Sequence, residues 1–259
     1  MFARLFGKRK SAAPPSTDGR LVYAVGDIHG RSDLLATLVR ELVRDAEASA
    51  PDQAPLLVFL GDYVDRGPGS AEVVETILDL TQGSDFEVRA LKGNHEEALL
   101  QFLDDAAFGV TWAEHGGSAT LASYGVQPPA GRTDVEAWAR ARSEFDAGLP
   151  ARHRDFYAGL ELMVEVGDYA FVHAGVRPGV PLARQAEKDL LWIRGEFLQA
   201  SGPFGKVIVH GHTPMEAPQV TRHRLGLDTG AYATGVLTAA RLDGTGQKII
   251  QARAKRAAA

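Results

Sequence analysis

Five short apolar runs of this 259-residue chain each end in side chains able to hold a metal ion. Gly26-Asp27-Ile28-His29-Gly30 follows LVYAV (21–25), and Gly61-Asp62-Tyr63-Val64-Asp65-Arg66-Gly67 follows LLVFL (56–60). Gly93-Asn94-His95-Glu96 follows FEVRAL (86–91), His173-Ala174-Gly175 closes YAFV (169–172), and His210-Gly211-His212-Thr213 closes KVIV (206–209). Neutral imidazole, carboxylate and amide oxygen together suit a borderline or hard divalent ion such as Mn, Fe or Zn. Each motif alone has a plainer reading: an Asp caps a helix, and HGHT is a hydrogen-bonded turn. Five runs delivering such groups at the same end point instead to one metal-dependent site.

The other candidates carry their own plain readings. Five of the eight histidines lie in these motifs; His115, His153 and His223 fall in segments read as helix or loop surface, solvated or packed. Asp65 beside Arg66 reads as a surface ion pair, and Arg194 in LLWIR (190–194) as a solvated side chain. Trp192 reads as packing in the core or pocket wall rather than as a stacking surface. His210 reads as a residue that orients a ligand rather than one that binds metal.

The elements that must position these groups alternate. The runs at 21–25 and 56–60 read as buried strands, and the run at 86–91 as a third strand. Between the first two, Asp33–Ala48 carries Leu34, Leu35, Leu38, Val39, Leu42 and Val43 at helical spacing, with Ser32 as the expected N-cap. Ser70–Leu80 and Asn94–Leu103 read as the next helices. The order βαβαβα predicts an α/β sheet with crossover helices. In open α/β sheets, ligands bind in the crevice at the carboxyl ends of the strands, where these residues fall. From about 108 to 160 the chain is helix-rich and interrupted by Gly116-Gly117, Pro128-Pro129 and Pro150, which predicts a helical insertion or cap. Strand-like runs resume at 162–166, 169–173, 206–210 and 236–242. Residues 20–259 are expected to form one domain, and residues 1–19 a basic, disordered tail; Phe2, Leu5 and Phe6 beside Arg4, Lys8, Arg9 and Lys10 form at most a marginal membrane-surface helix.

Composition narrows the chemistry. The chain has no cysteine, which removes disulfides, thiolate nucleophiles and Cys-based zinc sites in one step. A net charge of −5 gives no global nucleic-acid signature. No stretch approaches the roughly 18 apolar residues of a membrane span, and no secretory signal pattern is present, so the expected compartment is the cytoplasm.

GDIHG, GDYVDRG, GNHE, HAG and HGHT together resemble the signature set of the phosphoprotein phosphatase branch of the calcineurin-like metallophosphoesterases, in its bacterial serine/threonine phosphatase form. The resemblance covers about Val22 to Thr213 and implies an αββα sandwich with a dinuclear metal site. Residue by residue, it implies that Asp27, His29 and Asp62 hold the first metal. Asp62 would bridge to a second metal completed by Asn94, His173 and His212. His95 would be the proton donor, oriented by Asp65, and Arg66, Asn94 and Arg194 would bind the substrate phosphate. Two divalent ions, Mn first among them, would hold a hydroxide that attacks phosphorus directly. The chain departs from the eukaryotic pattern at Ala174, in the HGHT form and in the Trp192-x-Arg194 segment, and these departures bear on the substrate.

The first expectation is therefore a metal-dependent serine/threonine protein phosphatase acting on a phosphoprotein or small phosphoester. The alternative is a symmetrical hydrolase of diadenosine tetraphosphate, since bacterial members with HGHT include such enzymes. A catalytically inactive binding module is a third class, and the filled ligand positions argue against it.

Overall fold

The computed structural model describes residues 13–254, so the expectation for the first twelve residues lies outside the described part. The alternation begins with β1 (Leu21–Val25), α1 (Ser32–Ser49), β2 (Leu56–Phe59), α2 (Ser70–Gly83), β3 (Glu87–Ala90) and α3 (Asn94–Asp104). Helix α1 forms because Leu34, Leu35, Leu38 and Leu42 line one buried face. Its N-cap is Arg31, not Ser32; no side chain caps the first turn, and the Arg31 guanidinium is occupied by Asp33 at 2.8 Å. Four helices then follow, α4 (Gly109–Glu114), α5 (Gly117–Ser123), α6 (Val135–Gly148) and α7 (Ala151–Ala158).

The second half contains β4 (Met163–Val166), β5 (Tyr169–Val172), α8 (Glu187–Trp192), α9 (Gly195–Gln199) and β6 (Val207–His210). It closes with β7 (Gln219–Val220), β8 (Arg224–Gly226), α10 (Ala231–Thr234), β9 (Val236–Asp243) and β10 (Gly246–Arg253). The strands form two five-stranded sheets, ordered β10-β9-β1-β2-β3 and β4-β5-β6-β8-β7. In the first sheet β1, β2 and β3 run parallel, and in the second β5, β6 and β8 do. Parallel pairing puts the carboxyl ends of three strands together in each sheet.

The central strands of both sheets are buried on two faces, which gives an αββα sandwich. Along β1, Tyr23 and Val25 pack toward α1 and α2, whereas Val22 and Ala24 face the other sheet. Leu57 and Phe59 divide from Leu56 and Val58 in the same way on β2. Phe171 and Val209 complete the inter-sheet layer, and Ala170, Val172 and Ile208 turn outward to Leu190, Ile193 and Phe197 of the α8–α9 segment. A strand apolar on both faces must be covered twice, as the continuous runs require.

Two details bear on domain organisation. Trp112, Leu121, Trp138, Phe145 and Tyr157 of α4–α7 belong to the same core cluster as Tyr23 and Leu57. The helical stretch is thus built onto the sandwich over its length. At the other end, Ser16 O accepts from the Asp168 N–H at 2.8 Å and the Thr17 N–H donates to Gly244 O at 3.0 Å, so pairing begins before Arg20.

Candidate active site

Each ligand-bearing motif sits just past the carboxyl end of a strand, Asp27 and His29 after β1, Asp62 to Arg66 after β2, Asn94 and His95 after β3, His173 after β5, and His212 after β6. The turns that aim them are strained. His29, Asp62, Asp65, Arg66 and His212 all have positive φ, between 46° and 73°, a region L-residues adopt at a cost. Glycine is needed where loops close on one another: a Cβ on Gly93 would meet Asp62 Oδ1 at 2.2 Å, and one on Gly211 would meet Asp27 Oδ1 at 1.9 Å.

Asp62 is the centre of the arrangement. Its carboxylate belongs to two potential metal clusters, His29–Asp62–His95 and Asp62–His173–His212. Its Oδ2 lies 3.5 Å from His29 Nε2, and its Oδ1 lies 3.4 Å from His173 Nε2. Asn94 Oδ1 joins the second cluster, 2.9 Å from His173 Nε2 and 2.8 Å from His212 Nδ1. Asp27 belongs to neither cluster; its two oxygens accept the His212 backbone N–H at 3.1 and 3.0 Å.

The chemistry of these contacts fits divalent cations. His29 Nδ1 donates to Val64 O at 2.9 Å and His173 Nδ1 to Leu60 O at 2.8 Å. A carbonyl can only accept, so these bonds fix the proton on Nδ1 and leave Nε2 as a lone pair. Burial lowers the pKa of both imidazoles, His29 to about 3, so both are neutral. The His173 Nε2 lone pair then faces the oxygens of Asn94 and Asp62 with no proton between them. Such a nest of acceptors is satisfied by a metal ion.

The carboxylates make the same demand. Asp27, Asp62 and Asp228 are all buried at one end of the sandwich. Burial, then the charges of Asp228 and Asp62, raise the Asp27 pKa well above the usual carboxylate range. Asp228 is pushed to about 6, chiefly by burial. Buried anions without counter-charge are costly, and bound cations remove that cost. Asp228 follows β8, a strand of only three residues that carries no strand signal of its own, so sequence reasoning did not reach it as a site residue.

His95 and Asp65 are also brought together. His95 Nδ1 donates to Asp65 Oδ2 at 2.6 Å, which turns Nε2 toward the centre. Asp65 is fully buried, not surface-paired with Arg66. Its carboxylate also accepts from Trp112 Nε1 at 2.9 Å and Thr120 Oγ1 at 2.6 Å. These two residues come from α4 and α5, so the helical stretch locks the group that orients His95. Sequence reasoning singled out neither for this contact; the signal was only the position of Trp112 beside Gly116-Gly117.

The two arginines reach opposite sides. Arg66 Nη1 donates to His29 Nε2 at 2.9 Å and its Nη2 to His95 Nε2 at 3.1 Å. Arg194 Nε donates to His212 Nε2 at 2.9 Å, although the residue is exposed. His210 points elsewhere: its ring packs edge-on against Phe197 at 5.0 Å, and its buried Nε2 has no hydrogen-bond partner. Of the two positions read for Trp192, the core is excluded: it is 44% exposed, because Leu190, Leu191 and Ile193 take the buried positions around it.

Glu96 completes the frame. Its carboxylate accepts the backbone N–H groups of Asp62, Tyr63 and Gly93 at 2.8–2.9 Å and that of Val64 at 3.3 Å. Those bonds tie the β2 loop to the start of α3. Glu96→Ala leaves the four donors without this acceptor in a buried site and is expected to cost about 3–5 kcal/mol of folding stability. Urea unfolding checks this, and a loss below about 1 kcal/mol would contradict the tie.

An αββα sandwich with these groups at its strand ends defines a phosphoester hydrolase. The chain belongs to the calcineurin-like phosphoesterase family, which it matches over residues 21–235. Members of this family use divalent metal ions, and the two clusters fit such ions. Among curated relatives, the asymmetrical bis(5'-nucleosyl)-tetraphosphatase PrpE of Anoxybacillus flavithermus is 28% identical over 84% of this chain and 88% of its own. PrpE of Bacillus subtilis is 24% identical over 83% and 87%. Among solved structures, a putative diadenosine tetraphosphatase superposes with a TM-score of 0.61 at 21% identity, covering 91% of this chain and 95% of that one. A Saccharomyces cerevisiae protein serine/threonine phosphatase reaches 0.54 at 17% identity, over 93% and 82%. These structural likenesses concern the fold. No helix among the described residues is long and apolar enough to cross a membrane.

Proposed function

We propose that this protein is a two-metal hydrolase of dinucleoside polyphosphates that cuts a phosphoanhydride bond by direct attack of water. The observation that carries the chemistry is Asp62, one carboxylate facing His29 with one oxygen and His173 with the other. Dinucleotides replace phosphoproteins as the leading substrate because the PrpE relatives align along nearly the whole domain. Those relatives are asymmetrical tetraphosphatases, which favours asymmetrical cleavage over the symmetrical cut expected first. The second reading, a serine/threonine phosphatase, rests on the motif set GDIHG, GDYVDRG and GNHE.

In this proposal Asp27, His29 and Asp62 would hold one ion, and Asp62, Asn94, His173 and His212 would hold the other. When bound, divalent ions supply an acidified water and neutralise phosphoryl charge. Arg66 and Arg194 grip phosphoryl oxygens from opposite sides, releasing their ring-nitrogen contacts as substrate enters. Asn94 offers its amide N–H to the same group. His95 protonates the departing oxygen, and Asp65 holds the imidazole in the tautomer that aims Nε2 inward.

A substrate panel on Mn-loaded protein tests the choice. Higher kcat/KM for diadenosine tetraphosphate than for phosphoserine peptides, with ATP and AMP as products, is the expected result. Two ADP molecules would mean the symmetrical cut, and preference for the peptides would return the phosphatase reading. Metal also matters for stability. Chelation leaves the buried carboxylates facing one another, so Tm is expected to fall by about 5–10 °C and to recover on adding Mn. An unchanged Tm in differential scanning calorimetry would count against the centre.

A further inference from the structure

Among the described residues, five large apolar side chains are exposed, Val135, Trp192, Met215, Val220 and Tyr232. The two aromatic ones both flank the candidate metal centre, from opposite sides. Tyr232, on α10, lies edge-on to His29 with ring centroids 5.4 Å apart. Trp192, at the end of α8, lies edge-on to His212 at 6.2 Å. Both stand at the site yet remain 40% and 44% exposed, although burying an aromatic ring is strongly favourable.

Both rings are also fixed in orientation. The Trp192 indole N–H donates to Glu97 Oε2 at 2.6 Å. The Arg66 guanidinium sits 4.6 Å over the Tyr232 ring, and Arg31 holds the helix beneath by donating to Ala231 O at 2.9 Å. Each aromatic is therefore paired with one phosphate-gripping arginine, Tyr232 with Arg66 through stacking and Trp192 with Arg194 two residues on. An exposed, oriented ring next to a phosphate-binding cation has the two parts needed to take a nucleotide, a flat apolar face for the base and a charge for the phosphate.

We propose that Trp192 and Tyr232 are base-stacking platforms on either side of the metal centre, and that they make the site select ligands with a nucleobase at each end of a phosphate chain. This rests on the dinucleotide reading for its substrate, but the platforms are tested separately from turnover. A stacked base contributes a factor of roughly 10 to 100 in affinity when its aromatic partner is removed.

The test compares AMP with ribose 5-phosphate, which differ only in the base, by calorimetric titration of Mn-loaded protein. AMP is expected to bind at least about tenfold more tightly to the wild type. Trp192→Ala and Tyr232→Ala are each expected to shrink that ratio, with Trp192→Phe and Tyr232→Phe keeping most of it. Val135→Ala, remote from the site on α6, serves as the surface control. The ratio isolates the base, because a disturbed Arg66 or Arg194 weakens both ligands alike. Equal affinities in the wild type, or a ratio that neither alanine variant changes, overturns the platforms. If the ratio behaves as expected while diadenosine tetraphosphate is not cut, the platforms stand and the dinucleotide hydrolase reading fails. If the dinucleotide is cut but the ratio is near one, the reading stands and the platforms fall.

Discussion

Asp62→Asn is expected to lower turnover by at least about 10³-fold on every phosphoester, because one side chain serves both halves of the centre. The carboxylate offers an oxygen to each cluster, and an amide has only one such oxygen, with a weaker charge. The substitution also removes the negative charge around which four histidines are arranged. The fold should survive, since the Asp62 and Tyr63 backbone is held by Glu96 and not by the Asp62 side chain. Circular dichroism and Tm of metal-free proteins separate the two effects. A folded variant retaining more than about one-tenth of wild-type kcat would remove Asp62 from the centre of the mechanism.

The second large effect concerns His95 and depends on the leaving group. His95→Asn is expected to cost about 10²–10⁴-fold in kcat on an alkyl phosphate such as a phosphoserine peptide. The loss should be far smaller on p-nitrophenyl phosphate, whose leaving group departs as a stable phenolate and needs little help from an acid. A phosphoanhydride falls between. Equal losses on all substrates would mean that His95 positions the phosphate rather than donating a proton.

The same residue sets a pH limb. Burial lowers the His95 pKa, but the charges of Asp62 and Asp65 and the Asp65 hydrogen bond outweigh it, and the pKa is raised. Asp65 is outside both metal clusters, so its contribution persists when cations sit on Asp62. The acid form is therefore present below the raised pKa, and turnover of alkyl phosphates should decline as pH rises through it. His95→Asn should abolish that decline, and Asp65→Asn should move it to lower pH. Trp112→Phe and Thr120→Val remove donors that disperse the Asp65 charge, leaving the carboxylate a stronger partner for His95, so they should move the decline to higher pH instead.

The site was legible in the chain to the extent that strand ends were. LVYAV, LLVFL, YAFV and KVIV are apolar on both faces, and a run that must be covered twice announces a buried strand. The residues just after such a strand in an α/β sheet lie at its carboxyl end, so Asp27, His29, Asp62, Asn94, His173 and His212 could be grouped from the sequence alone. The division into two sheets was not legible, because residue patterns on β1 and β5 do not differ with the sheet they join. It came only with the family resemblance. Strands β7 and β8 are two and three residues long, too short for periodicity, so Asp228 was not singled out as a site residue.

Support at a distance was the other blind spot. Nothing local says that Thr120 reaches Asp65 across 55 positions, or that Glu96 collects backbone donors 32–34 positions away. For Trp192 the sequence left core and pocket wall open; the short helix α8 turns Leu190 and Leu191 inward and leaves the indole at the rim.

The two-metal mechanism depends on Asp62 joining two metal positions in one chain. The most direct measurement is the number of Mn ions retained per chain after gel filtration, counted by elemental analysis for wild type and Asp62→Asn. Two ions per wild-type chain, falling to one or none in the variant, is the expected result. A wild-type chain holding a single ion, or a variant that still holds two, would contradict the shared carboxylate.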